Sequence, residues 1–432
     1  MSIQEINTDR LYTSEEVTEY LRVSLRTTQR LLKTGQLPSF KVHGQYRIKG
    51  IEILNYLNGV RIDSDEDNIE EDKPANLISL LEIHPITVEL GIDLIPLADP
   101  AQEGEIFKKI PDIRKNITLE LGFIMPGIQF KDNISLGKNE YNILIDGLKV
   151  ADGKIEKDKF FARAISNNAE EISDYKVIDP LDDNKSDFWP IDNNNNACWI
   201  NEELKEKALN SGYEVITPID LLLRHIGKIA KSFSHEILNR EEVSVIIENI
   251  RKKYPVIVNE LLDYYGLTIG ELTKILKGLL YEQVSIQNIR LILEGLSDSL
   301  AITKNKDIDI LVEMTRQKLS RQICTKLADK DKVIDIIVLS EKISKVFNDS
   351  ICHTAEGSIL ALNPAFSQKF SAKVKEIIQN INQPVILTDP NIRRYVKRVL
   401  ARNFPKIVVL SYKEVNTMVK IRCINTIDIE EA

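Results

Sequence analysis

Several things are missing from this 432-residue chain, and each absence removes a class of function. No apolar run comes near the roughly 18 residues that a membrane-spanning helix needs. Val333–Leu339 is among the longest, and Asp335 interrupts it. No basic stretch followed by an apolar stretch opens the chain, so neither a secretory signal nor membrane insertion is expected. Cysteine is scarce. Cys198, Cys324, Cys352 and Cys423 stand apart with no CxxC pair, which argues against a disulfide framework and a thiolate zinc site. A reduced, cytoplasmic compartment is the expectation. The signatures GxxxxGK[ST], HExxH and GxSxG are absent too. His235-Glu236 begins like a zinc motif, but Asn239 stands where the second histidine belongs. We therefore expect no enzyme, no metal and no cofactor.

What is present is ordinary in amount and uneven in placement. Apolar residues make up 43% and charged residues 28%, as in soluble globular chains. The length suggests two to four compact units. The net charge of −8 argues against a wholly basic nucleic-acid coat protein. Arg22 to Lys49 holds seven Lys/Arg and no Asp/Glu, whereas Asp63 to Asp72 holds seven Asp/Glu and no Lys/Arg. A block of like charge without apolar periodicity reads as a linker. The expected division is a module at 8–60, an acidic flexible linker at 61–77 and a large region at 78–432.

The module has a legible order. Ser14–Leu21 carries a helical apolar face at Val17, Tyr20 and Leu21, with Thr13 or Ser14 able to cap it. After a break at Arg22-Val23, Ser24 caps a second helix, Leu25–Lys33, and Gly35 closes it. Phe40–His43 and Gln45–Ile48 read as a hairpin around Gly44, and Ile51–Leu57 as a third helix. Arg26, Gln29, Arg30 and Lys33 recur at helical spacing on one face, with Leu31 and Leu32 facing inward. Thr27 joins them in the first turn. Arginine can read guanine and glutamine adenine through paired hydrogen bonds. Lys41 and Arg47 are candidates for phosphate contacts, with His43 at the hairpin tip. The stretch YTSEEVTEYLRVSLRTTQRLLKTGQLPSFKVHGQYRI resembles the excisionase-type, MerR-like winged helix-turn-helix family over residues 11–57. That resemblance implies DNA as a partner and the second helix in the major groove. One module per chain suggests a homo-oligomer.

The large region alternates strand-like and helix-like segments. Val88–Leu97, Tyr141–Val150, Pro384–Leu387 and Lys406–Leu410 read as strands. Helical patterns run through Leu221–Arg251, Ile269–Glu282, Ile286–Leu296 and Ile308–Leu327. His225 reads as a packed helix residue, and Asp179–Asn196, with four consecutive asparagines, as a surface loop. The fold class expected is multidomain α/β (α+β).

The segments ELGIDLIPLADPAQEGEIFKKIPDIRKN, GYEVITPIDLLLRHI, ELTKILKGLLYEQVSIQNIRLILEGLSD and QPVILTDPNIRRYVKRVLARNFPKIVVLSYKEV resemble, in order, the cytoplasmic part of the FHIPEP family. Those are export-gate proteins of flagellar and virulence type III secretion. The resemblance implies four subdomains: 78–136 with 214–235, 137–213, 236–314 and 315–432. It also implies a ring, and partners among secretion chaperones, export substrates or a true gate ring. The family's docking dimple falls on Asp158, Phe161 and Asp220. Asp220 stands where the family usually has threonine, and Phe161 reads equally well as a core residue. The family's transmembrane half has no counterpart here, and a helix-turn-helix stands in its place. The expected function is a DNA-binding regulator with an export-gate-like docking or oligomerisation platform. The alternative is an interaction component of the export apparatus that does not bind DNA.

Overall fold

The computed structural model describes residues 8, 10–21, 25–33, 37–42, 45–57, 83–98, 105–165, 172, 177, 179–181, 197–303, 306–354, 357–379, 381 and 383–429. The chain divides into two units, Met1–Glu82 and Ile83–Ala432. Ser24, Gly35, His43, Gly44 and the acidic linker at 61–77 lie outside the described residues.

In the small unit, β1 (Leu11–Thr13) leads into α1 (Ser14–Leu21) and α2 (Leu25–Lys33). β2 (Phe40–Val42), β3 (Gln45–Lys49) and α3 (Gly50–Leu57) follow. Thr13, not Ser14, caps α1. The Glu16 amide donates to Thr13 Oγ1 at 3.3 Å, and Glu16 Oε2 accepts from the Thr13 amide at 2.8 Å. This reciprocal box satisfies donors that a helix start leaves unpaired. The expected hairpin β2–β3 is present, and β1 adds a third strand in the order β1-β3-β2. Its three residues were too short to show a period. Tyr12, Val17, Leu31, Leu32, Leu37, Ile48 and Ile53 form the core.

The large unit begins with a sheet of order β5-β4-β6-β7. β4 is Ile86–Leu90, α4 Glu105–Leu121, β5 Ile128–Asp132, β6 Glu140–Ile145 and β7 Leu148–Lys154. The expected strand Val88–Leu97 stops at Leu90 and gives way to a 3₁₀ turn, Ile92–Ala98. A Cβ on Gly91 would lie 2.1 Å from the Gly137 carbonyl, so only glycine allows this close approach. The expected strand Tyr141–Val150 is a hairpin. Asp146 and Gly147 both take positive φ, 46° and 77°, and turn the chain. Because Tyr141–Ile145 pairs residue by residue with Ile86–Leu90, this sheet runs past the boundary expected at 136. A second sheet, order β10-β8-β9, holds β8 (Phe160–Ala164), β9 (Ala197–Ile200) and, after α5 (Lys205–Asn210), β10 (Tyr213–Ile216).

A helical layer follows: α6 Pro218–Ser232, α7 Ser234–Ile237, α8 Arg240–Lys253, α9 Pro255–Asn259, α10 Ile269–Tyr281, α11 Ile289–Thr303, α12 Ile308–Lys318 and α13 Ser320–Leu327. The continuous pattern Leu221–Arg251 breaks at Phe233 and again at Asn239, which builds a capping box with Glu242. The pattern Ile308–Leu327 breaks at Leu319. The last sheet is parallel, order β15-β14-β11-β16. It comprises β11 (Val333–Leu339), β14 (Val385–Thr388), β15 (Val408–Ser411) and β16 (Lys420–Ile427). α14 (Glu341–Asp349), the hairpin β12–β13 (Ile351–Thr354, Gly357–Leu360), α15 (Pro364–Ile378) and α16 (Arg393–Ala401) connect these strands.

Candidate functional site

In the small unit, α2 is held by burial of Thr28, Leu31 and Leu32. Thr18 Oγ1 lies 2.7 Å from the Ser14 carbonyl and 3.0 Å from Thr28 Oγ1, tying α1 to α2. At 3.6 residues per turn, positions 26, 29, 30 and 33 then fall on the face opposite the core. Gln29 is exposed. The side chains of Arg26, Thr27, Arg30, Lys33 and Lys41, and all of His43, lie outside the described residues.

Arg47 sits in the central strand, opposite Phe40 on one side and Thr13 on the other. It is half-buried, and its Nη1 donates to the Tyr46 carbonyl at 3.1 Å. The Glu16 carboxyl is held below the usual range by the Thr13 amide first, then by the Thr13 hydroxyl, Arg10 and Arg47. Arg47 therefore serves the fold of the sheet as well as its surface.

The three residues expected at a docking dimple have different fates. Asp158 is exposed on the turn entering β8. Phe161 is only 1% exposed. It packs edge-on against Trp199 at 5.2 Å, in a core with Ala197, Ile216 and Leu221. A partner cannot touch its ring, so Phe161 supports this surface from beneath instead of lining it. Asp220 is half-buried in the first turn of α6, which Thr217 caps. Lys109 Nζ approaches Asp220 Oδ1 at 2.8 Å, and Thr217 Oγ1 donates to Oδ2 at 2.7 Å. Burial pushes this carboxyl up, but these hydrogen bonds outweigh it and hold the carboxyl below the ordinary range. The Asp220 carboxylate is thus already paired within the chain.

Two features escaped the sequence reading. The first is a buried ion cluster between the helical layer and the last sheet. Arg393, fully buried, grips Glu282 with two bonds of 2.6 and 2.7 Å. It also holds Glu313, with Nε to Oε2 at 2.6 Å. Arg316 bridges Glu414 at 2.7 Å and Glu282 at 3.2 Å. Burial would raise Glu282, but Arg316 and Arg393 overcome it and bring its carboxyl to about 2. Burial lowers Lys397 to about 8, and its ammonium donates to the carbonyls of Pro405 and Ile407 at 3.0 and 2.8 Å. The second feature is a cleft of about 1010 Å³ where α4, β7, α6, the start of the helical layer and α16 meet. Beside it, fully packed, Tyr141 Oη lies 2.8 Å from His225 Nδ1, which places His225 in the interior as its apolar neighbours predict. The run NIRRYVKR is rich in cations, but nothing local in the sequence shows that Arg393 and Lys397 turn inward.

Among the described residues no helix is long and apolar enough to cross a membrane. Residues 52–420 match the FHIPEP family, and residues 11–61 match a helix-turn-helix domain. The flagellar biosynthesis protein FlhA of Bacillus subtilis (strain 168) is 32% identical over 405 residues, covering 92% of this chain and 58% of that protein. FlhA of Treponema pallidum (strain Nichols) is 32% identical over 367 residues, covering 84% and 50%. The chain thus spans about half the length of the curated relatives it matches. Among solved structures, the Chlamydia pneumoniae CdsV and CdsO protein complex gives a TM-score of 0.70 at 25% identity, over 84% of this chain and 100% of that one. The nonameric SctV-C of EPEC, from cryo-electron microscopy, gives 0.64 at 25%, over 80% and 98%.

Proposed function

The chain belongs to the FHIPEP family, and from that membership together with its helix-turn-helix we propose a DNA-binding protein whose export-gate-like unit is a docking and oligomerisation platform. Its output is transcription regulation linked to flagellar or type III protein secretion. The observation that carries this reading is the geometry of α2. Thr28, Leu31 and Leu32 are buried, so positions 26, 29, 30 and 33 lie on the outer face. In sequence that face reads Arg, Gln, Arg, Lys, inside a stretch with no acid. Such a face suits phosphates and base edges in the major groove.

The large unit supplies valency. One small module binds DNA weakly, but modules gathered by an oligomer act at effective concentrations of order millimolar, which raises avidity by about 10²–10⁴. Nonameric SctV-C supports that expectation, since its fold is shared here. The test is selection of genomic fragments by the purified full chain, beside an Arg26→Ala/Arg30→Ala variant. Discrete enriched sites lost in the variant support the proposal; no enrichment by either protein refutes it.

A second reading is an interaction component of the export apparatus that joins a gate ring, chaperones or export substrates. The CdsV–CdsO complex favours it, because the whole of that chain is matched. Mixing the full chain with a gate cytoplasmic domain and weighing the product by native mass spectrometry tests it. Separate masses at micromolar concentration exclude co-assembly.

A further inference from the structure

We propose that a second cleft, between β13, α15 and α16, binds a nucleotide-sized organic phosphate, with Arg402, Ser367 and Ser371 at its phosphate end. The inference goes beyond the DNA-binding and docking-platform readings and depends on neither. The cleft has a volume of about 830 Å³, within the roughly 300–1,000 Å³ usual for small-molecule sites. Among the described residues no Asp or Glu lines it. In a chain whose net charge is −8, a cleft bordered by arginines and no carboxylate favours an anion.

The polar groups here have no partners of their own. A helical Ser or Thr can give its hydroxyl to the carbonyl four residues back. Thr273, Ser299 and Thr315 do so, at 2.7, 2.6 and 2.7 Å. Ser367 and Ser371, half-buried and one turn apart on the cleft face of α15, do not, and neither hydroxyl is bonded among the described residues. The side-chain amides of Gln368 and Asn403, which also line the cleft, are unengaged as well. Arg402 ends α16, exposed and without a carboxylate partner among the described residues. Arg398, one turn earlier, differs: it is paired with Asp309 at 2.6 Å, so Arg402 supplies the available charge.

This donor set suits a phosphate. A guanidinium offers several N–H groups in one plane, matched to phosphate oxygens, and a phosphate has three such oxygens to be satisfied by the hydroxyls and amides. Pro364, the first residue of α15, also lines the cleft, so the positive end of a fifteen-residue helix lies beside it. The rest of the lining suits an organic body. Ile359, Leu360 and Val399 give aliphatic wall, which a bare inorganic anion would leave unused. Mostly apolar lining with a few convergent polar groups is the usual make-up of a small-molecule site.

The test is calorimetric titration of the full chain with adenosine, guanosine, cytidine and uridine monophosphates, each beside its phosphate-free nucleoside, and with inorganic phosphate. At least one monophosphate should bind saturably by millimolar concentration, and its nucleoside should not. Affinity should fall about tenfold in Arg402→Ala and about fivefold in Ser367→Ala/Ser371→Ala, with Arg402→Lys between Arg402→Ala and the native chain. Thermal melting of each variant checks the fold, which should persist because none of these side chains has an internal partner. Binding undiminished in Arg402→Ala overturns the proposal, as does equal binding of nucleoside and monophosphate. Failure of every monophosphate to bind overturns it too, and so does inorganic phosphate binding as tightly as all of them.

Discussion

Between Arg22 and Lys49 the small unit holds seven cations with no acid among them, whereas the large unit buries Arg316 and Arg393 against Glu282, Glu313 and Glu414. The same residue type thus has two physical roles. A guanidinium taken out of water needs carboxylates in fixed geometry, and the match fixes how two layers meet. A run of cations in a stretch of sequence without acids suits a polyanion instead. The cores differ in the same sense. Among the described residues, seven buried apolar side chains hold the small unit, while the large unit has a cluster joining its helical layer to its sheets and further clusters besides. A domain of that smaller size is marginally stable and suited to presenting a surface.

The contrast can be broken from the large side first. Arg393→Met leaves Glu282 and Glu313 facing one another without their bridge. It should cost about 3–5 kcal/mol, seen as a fall in the urea midpoint of the large unit. Amide exchange in Leu11–Leu57 should stay unchanged; a loss under about 1 kcal/mol would show that the cluster is not a fixed joint. Leu31→Ala removes a small-unit core residue at a cost of about 3 kcal/mol. That should open this unit and abolish DNA binding, with the large unit's exchange unaffected.

Acid separates the units by the same logic. The folded Glu282 carboxyl, at about 2, lies below its ordinary value of 4.5. Its contribution is present above about 4.5 and is lost as pH falls toward 2. The large unit should therefore loosen over that window in near-ultraviolet circular dichroism, and Glu282→Gln should flatten the response. Lys397 gives a slope of the same sign at higher pH, for a different reason: burial disfavours its charged form. The unfolded chain binds its proton more readily between about 8 and 10.5, so stability should rise with pH there. The smallest expected effect is Thr13→Ala, about 1 kcal/mol from loss of the α1 cap, confined to the small unit. If it changed the large unit's exchange, the two units would not be energetically separate.

The fold was legible where a signal is local. The period of Leu25–Lys33 located α2 and its inward leucines, and the Phe40 and Gln45 runs located the hairpin. The Asp146-Gly147 turn was available in the sequence as a hairpin signal between two apolar runs, and reading one strand across it was an error of period. Leu11–Thr13 could not be read, because its pairing with Arg47–Lys49 is a tertiary fact. Nor could the ion cluster. Arg393 finds Glu282 and Glu313 at sequence separations of 111 and 80, and no local pattern carries that. Phe161 shows the same limit, since its neighbours Trp199 and Leu221 arrive from strands and helices far along the chain.

DNA reading by the small unit's acid-free cationic stretch is the part of the proposal on which the rest depends. The direct measurement is anisotropy of the full chain on an enriched genomic duplex and on its shuffled sequence, at moderate salt, with Arg26→Ala/Arg30→Ala alongside. A site preference on the order of 10³ or more is expected, collapsing in the variant while both units keep their exchange protection. Equal affinity for the two duplexes, or a preference untouched by the variant, would contradict it.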